Sequence, residues 1–232
     1  MNKITQWYPS FADKTFPTVF LQLSAEEKAL ILGSHHDANV KSALAKRINK
    51  SIHALPGTCF IATDSCAPTD SEFFAKHKSC SNAETALKLL SSSNKVKAAL
   101  SSDDVQHLIV RPYRRMDKTR EFRLFVYGGE LVAMSQYCLE RHFRRLEGHK
   151  QTYWDKALSF FSELKPFLTE QETVIDVYLC SDGEFLIIDF NTWGEDTKPL
   201  LMRKWDRDWL ENQGIRLIKP PMKMKGDVKI SF

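Results

Sequence analysis

No apolar run in this sequence approaches the length that a membrane-spanning helix needs, and the opening MNKITQWYPSF has no apolar core of the kind a secretory leader carries. Cysteine is sparse and unpatterned. Cys59, Cys66, Cys80, Cys138 and Cys180 make an odd number without a CxxC pair, so the expectation is reduced thiols in a cytoplasmic protein rather than a disulfide framework. Cys59, Cys66 and His77 also lack zinc-ligand spacing. There is no internal repeat and no low-complexity tail. A net charge of +4 admits an anionic ligand without arguing for nucleic acid. What is present is a chain of 232 residues with 43% hydrophobic content, enough for one sizeable core or two small lobes.

The most informative stretch is 173–193, TVIDVYLCSDGEFLIIDFNTW. Two runs rich in β-branched and aromatic residues flank Asp182-Gly183, a dipeptide suited to a two-residue type I′ turn, which needs φ > 0 at both central positions. With that turn Ser181 pairs with Glu184, and Asp176 stands directly opposite Asp189. Alternation then places Ile175, Val177, Leu179, Leu186, Ile188 and Phe190 on a core face. Asp176, Tyr178, Ile187, Asp189 and Asn191 share the other face. Opposed carboxylates repel in a sheet, and either a proton on one of them or a cation between them relieves the conflict. Asn191 adds a neutral oxygen. Asp176, Asp189 and Asn191 therefore form a hard-oxygen set suited to magnesium, whose remaining ligands would be water and phosphate. A scattered pair of acids on a solvated face is the plain alternative; the shared face, the direct opposition and the added Asn favour the metal.

Elsewhere the pattern predicts a strand through Val19, Leu21 and Leu23, then a helix from the Ser24/Glu27 capping box to Leu32. Further helices are expected over 40–52, from Asn82 to Leu90 and over 95–100, with strands over 58–63 and 107–110. An amphipathic helix over 152–167 is expected to bury Trp154, Leu158, Phe161 and Leu164. A helix over 199–210 and a last strand over 215–218 follow, Pro220-Pro221 closes the ordered part, and a basic tail over 219–229 is expected to be mobile. His35-His36 reads as a solvated loop. Trp7, Tyr8 and Phe11 suit either a partner surface or the core.

A second hairpin pairs 121–127 with 130–137 around Gly128-Gly129. Its register puts Phe122, Leu124, Val126, Leu131, Ala133 and Ser135 on a core face, and projects Glu121, Arg123 and Gln136 from the opposite side. Between Arg111 and Arg123, six of thirteen residues are basic. A solvated basic loop, a nucleic-acid patch, and an arginine on a strand face holding a polyphosphate through its bidentate fork all remain open.

Trp7-Tyr8-Pro9-x-Phe11, Ala67-Pro68-Thr69-Asp70, Arg111-Pro112-Tyr113, the run REFRxFV from Arg120 to Val126, Ser135-Gln136, the run IDVY from Ile175 to Tyr178 and the run IDFNxWGE from Ile188 to Glu195 occur in an order that resembles the cell-division-cycle protein 123 family, a divergent branch of the ATP-grasp superfamily. The resemblance runs from about residue 7 to 210. It implies an α+β ATP-grasp fold in which two lobes, 1–106 and 107–232, clasp ATP and magnesium with mostly antiparallel sheets and flanking helices. By motif, Asp176, Asp189 and Asn191 would hold Mg2+ and Arg123 would contact the phosphates of ATP. The strand from His107 to Arg111 would act as hinge, with backbone groups near Val110 and Arg111 recognising adenine. Ala62 and Thr69 stand where the family usually carries basic residues, so phosphate binding would be weakened, altered, or supplied by Arg111, Arg114 or Arg120. The implied function is an ATP-dependent assembly factor, or clamp, on a protein partner, the gamma subunit of translation initiation factor 2 in the eukaryotic members. The alternative is a carboxylate–amine ligase working through an acylphosphate, for which Glu121 and His35-His36 are candidates on the acceptor side.

Overall fold

A computed structural model describes residues 3–102 and 104–221 and divides the chain into two units, Met1–Arg115 and Met116–Phe232. The expected tail therefore lies, from residue 222 on, outside the described residues.

In the first unit, α1 (Ile4–Phe11) buries Ile4, Trp7 and Phe11 along one stripe. Pro9 hides this helix from a reading of the sequence, yet costs it only one backbone bond near its end. Trp7 and Phe11 are thus core rather than a partner surface. Strand β1 (Val19–Gln22) leads into α2 (Ala25–Leu32), which opens on the expected box: the Glu27 N–H donates to Ser24 Oγ at 3.2 Å, and the Ser24 N–H to Glu27 Oε2 at 2.9 Å. It closes on Gly33, whose φ of 82° lets the N–H groups of residues 33 and 34 return to the last turn. There follow α3 (Ala38–His53), β2 (Cys59–Thr63), the short α4 (Glu72–Lys76), α5 (Ala83–Ser91), α6 (Asn94–Ser101) and β3 (His107–Pro112). The sequence reading missed α4, which is capped by Ser71. The sheet order is β1-β3-β2, all antiparallel. β3 is the middle strand of this sheet, and the first unit runs on to Arg115.

The second unit holds β4 (Glu121–Tyr127), β5 (Glu130–Gln136), α7 (Arg144–Gly148), α8 (Lys150–Leu164), β6 (Thr173–Leu179), β7 (Phe185–Asn191) and β8 (Gly214–Arg216). Its sheet runs β7-β6-β4-β5-β8, antiparallel except for the parallel β5–β8 pair. The expected α+β class, with mostly antiparallel sheets and flanking helices, is therefore what the structure has. On α8 the buried stripe is Tyr153, Trp154, Ala157, Phe160, Phe161 and Leu164, while Leu158 is exposed, against expectation. No helix covers 199–210. Past Pro199 there is a single 3-10 turn, Leu200–Met202, and Leu200 and Arg203 both take positive φ. Three tryptophans around this segment, Trp193, Trp205 and Trp209, pack on Phe125, with Trp209 stacked at 5.4 Å. Burial of large rings, not helix propensity, decides the path of the chain here.

Candidate functional site

Both hairpins depart from uniform register, each by a bulge, and the two bulges decide which side chains meet. In β6–β7 the pairs next to the turn are Leu179↔Phe185, Tyr178↔Leu186 and Val177↔Ile187, one residue off the expected register. Gly183 has a φ of 94°, but Asp182 is not among the residues with positive φ, which excludes a type I′ turn. The loop instead spans Ser181, Asp182 and Gly183, with the Cys180 N–H donating to the Glu184 carbonyl at 2.8 Å. A register shift between Asp176 and Val177 then restores the expected pairing, so Asp176 does stand opposite Asp189. Between turn and bulge the faces are exchanged: Phe185 and Ile187 enter the core, in place of Leu186 and Ile188.

In β4–β5 the two-residue turn is as expected, with φ of 58° and 75° at Gly128 and Gly129 and Tyr127 opposite Glu130. A shift between Phe125 and Val126 then carries Ser135, in place of Met134, to the position opposite Arg123, and sets Gln136 opposite Phe122. The Gln136 amide serves elsewhere, donating to the Arg141 carbonyl at 3.1 Å.

As a result Ser135, Arg123, Asp176 and Asp189 form one row across β5, β4, β6 and β7. Its members pass from buried to exposed along the sheet. Ser135 is fully buried, Arg123 and Asp176 are 5% and 6% exposed, and Asp189 faces solvent. Arg123 holds Asp176 through both arms of its fork, Nε to Oδ1 at 2.7 Å and Nη2 to Oδ2 at 2.8 Å. Its Nη1 donates to the Lys198 carbonyl at 2.6 Å, and its guanidinium lies 5.3 Å from the centre of the Tyr137 ring. Ser135 Oγ accepts from the Leu201 N–H at 3.2 Å. Arg123 and Ser135 thus also satisfy peptide groups of the irregular segment after β7. The Asn191 amide joins Asp176 as well, Nδ2 to Oδ2 at 3.0 Å.

The guanidinium is a third answer to the Asp176–Asp189 repulsion, beside the proton and the metal. It compensates the buried carboxylate from the far side and leaves the solvent side acidic. Glu121, opposite Tyr178 on β6, registers the imbalance: burial and the Asp176 charge push its carboxyl above the usual range. The same two causes raise the Tyr137 phenol. For Arg123, burial alone would ease proton loss, but the Asp176 hydrogen bonds and charge outweigh it and hold the guanidinium more firmly charged. A cavity of about 550 Å³ opens beside this row, lined by Glu121, Arg123, Tyr137, Asn191, Asp196 and Lys198 among others.

Two carboxylates and an amide are the oxygen set that magnesium accepts, and waters or phosphate oxygens commonly complete its shell. Asp189 is exposed, and Asp176 retains lone pairs beyond those that Arg123 uses. Asn191 would present Oδ1 after a turn of its amide. Among the described residues no group of three His, Cys, Asp or Glu side chains could hold a metal, so an ion here depends on Asn191 and on external oxygens. The donor chemistry fits.

Val110 and Arg111 belong to the first unit. Val110 stands between Val19 and Ile61, enclosed by the ladder on both edges, while Arg111 passes beyond the last β1 pair. The Arg111 Nε donates to Thr18 Oγ1 at 2.9 Å, and its guanidinium lies 5.6 Å from the Trp7 ring centre. Ala62 is buried opposite Ile109 and Thr69 is exposed. Asp70 of the same segment accepts from the Ser93 hydroxyl and from the Lys95 N–H, which ties its loop to the start of α6. Sequence reasoning missed Ser135, Tyr137 and the Lys198 carbonyl as neighbours of Arg123, because a bulge and a non-helical loop bring them there.

The D123 family model matches residues 33–214. Among curated proteins the chain is 28% identical over 209 residues to a CDC123-like protein, L884, of Acanthamoeba polyphaga mimivirus, covering 84% of this chain and 64% of that one. It is 25% identical over 212 residues to the translation initiation factor eIF2 assembly protein of Dictyostelium discoideum, covering 82% and 55%. The chain thus spans between half and two thirds of the length of these relatives. Among solved structures, Cdc123 from Schizosaccharomyces pombe superposes with a TM-score of 0.74 at 22% identity, covering 88% of this chain and 87% of that one. Its C-terminally truncated form gives 0.78 at 21% identity, covering 92% and 93%. The chain has the fold of Cdc123 and, by the extent of the family match, belongs to the D123 family of cell-division-cycle protein 123 proteins.

Proposed function

We propose that this chain binds ATP with magnesium at the row formed by Arg123, Asp176, Asp189 and Asn191, and uses the bound nucleotide as a clamp in assembling a protein partner. The observation that carries this reading is the row itself: a buried arginine–carboxylate pair that ends in an exposed carboxylate beside a cavity lined by Arg123 and Lys198. Metal would be held by Asp176, Asp189 and Asn191. When bound, it would offset the charge of phosphate oxygens against that of the carboxylates. Arg123, already committed to Asp176, supports the phosphate site chiefly by fixing that carboxylate.

The names of the relatives, translation initiation factor eIF2 assembly proteins, support assembly of that factor as the task; the gamma subunit as its partner is what the family resemblance implies. Glu121 favours a second reading, the carboxylate–amine ligase. It lines the cavity, and burial and the Asp176 charge raise its carboxyl, the direction that suits a proton acceptor.

Calorimetric titration of ATP with and without magnesium, followed by an assay for ADP release, separates the two. Magnesium-dependent binding without turnover is expected. ADP release stimulated by acids and amines would transfer the assignment to the ligase. Asp189→Ala is expected to leave the fold intact, since the side chain is exposed, and to abolish magnesium-dependent binding. Unchanged ATP affinity in the folded variant would sink the metal assignment.

A further inference from the structure

A second cavity, of about 740 Å³, opens in the first unit among α2, α3, α5 and α6. Its floor is aliphatic, formed by Ile31, Ala45 and Leu87 among others. Its rim is basic: Lys41, Lys88 and Lys97 border it, and Glu84 is the one acid among the lining residues. Lys88 Nζ lies 4.7 Å from the centre of the Phe73 ring.

His35 enters the wall from the turn between Gly33, which caps α2, and Asp37, which caps α3 by accepting from the Asn39 N–H at 2.6 Å. With both flanking ends capped, the turn has little freedom to swing away. His35 Nε2 is sealed from solvent and has no hydrogen-bond partner among the described residues.

We propose that this cavity docks a short acidic and aliphatic peptide segment of a partner protein, its apolar side chain on the Ile31–Leu87 floor and its carboxylates on the lysine rim. The chemistry selects this occupant over others. An inorganic anion would leave the aliphatic floor without a use. A nucleotide base would find no Phe, Tyr or Trp ring among the lining residues to stack on. An aliphatic anchor flanked by acids meets both surfaces at once, and helix-walled grooves commonly take peptide segments in this way. The cavity lies within the range that ligand pockets occupy, about 300–1,000 Å³. The proposal does not rest on nucleotide binding, because every residue it uses belongs to the first unit.

The test is selection of a random-peptide phage library on the full chain, followed by fluorescence anisotropy of the enriched peptides. Enriched sequences are expected to combine acids with Leu, Ile or Val. Their affinity should fall at least tenfold in Lys41→Glu and in Lys97→Glu, and stay unchanged in the control Lys150→Glu, which carries the same charge change on an exposed residue of the second unit. Binding should weaken as salt rises. The proposal is overturned if no peptide is enriched, if the enriched peptides lack acids, or if Lys150→Glu weakens them equally. It is also overturned if pyrophosphate at matched ionic strength displaces them completely, which would assign the site to a small anion. Concentration-dependent dimerisation lost in Lys97→Glu would assign it to a second copy of the chain. Repeating the measurement with Mg-ATP present keeps a failed nucleotide reading distinct from a failed docking reading.

Discussion

The hairpins β4–β5 and β6–β7 begin from similar signals, a glycine-bearing turn between two apolar runs, and each contains one bulge. They end differently. In β6–β7 the three-residue turn displaces the register by one position and the bulge returns it, so the opposition of Asp176 and Asp189 survives two compensating departures. In β4–β5 the turn is the two-residue kind, so the bulge acts alone and puts Ser135 in place of Met134 opposite Arg123. A turn dipeptide sets register only as far as the first irregularity, because one inserted residue moves every later side chain to the other face. The bulges lie near the polar row, where a re-aimed side chain matters most.

The largest expected effect tests whether the row is held by its buried pair. Asp176→Ala leaves the Arg123 guanidinium buried without its carboxylate and should cost about 3–5 kcal/mol in chemical denaturation. Joint replacement, Arg123→Met with Asp176→Leu, should recover most of that loss, since well-packed apolar residues often replace a buried pair at little cost. Failure of the double variant to recover would mean that the bonds to Lys198 and Asn191, rather than the pair, hold this region.

A smaller effect distinguishes the turns. Gly183→Ala and Gly129→Ala each place a side chain at positive φ, costing about 1–2 kcal/mol. A Cβ at Gly183 would also stand 2.8 Å from Lys156 Nζ, which donates to the Gly183 carbonyl at 3.0 Å. At Gly129 nothing lies within 4 Å. Gly183→Ala should therefore be the more destabilising, and equal costs would show that the lysine contact contributes nothing.

The smallest effect concerns charge. Glu121 has a raised folded pKa. Its contribution to stability is therefore fully present below the ordinary carboxyl range and is lost as pH rises through the raised value. Glu121→Gln should remove that loss, melting slightly above the parent at neutral pH and merging with it in acid. A melting difference independent of pH would exclude this origin.

The sequence was explicit where a signal is local. The Ser24/Glu27 box and the helix start at Asn82 depend on residues a few positions apart, and they appear as read. The carboxylate pair was legible for the same reason, although the turn beneath it differs. The site residues beyond that pair were not. Ser135 reaches Arg123 through a bulge, and the path after Pro199 follows three tryptophans onto Phe125 in place of a helix. The Arg123–Asp176 bridge joins residues 53 positions apart, and it exists because β6 chose β4 as its neighbour. Residue types and their short-range order thus determined the elements and supplied a carboxylate face. The tertiary structure decided which charge would answer that face, because strand order and bulges depend on how whole surfaces bury one another, and no short window of sequence contains that.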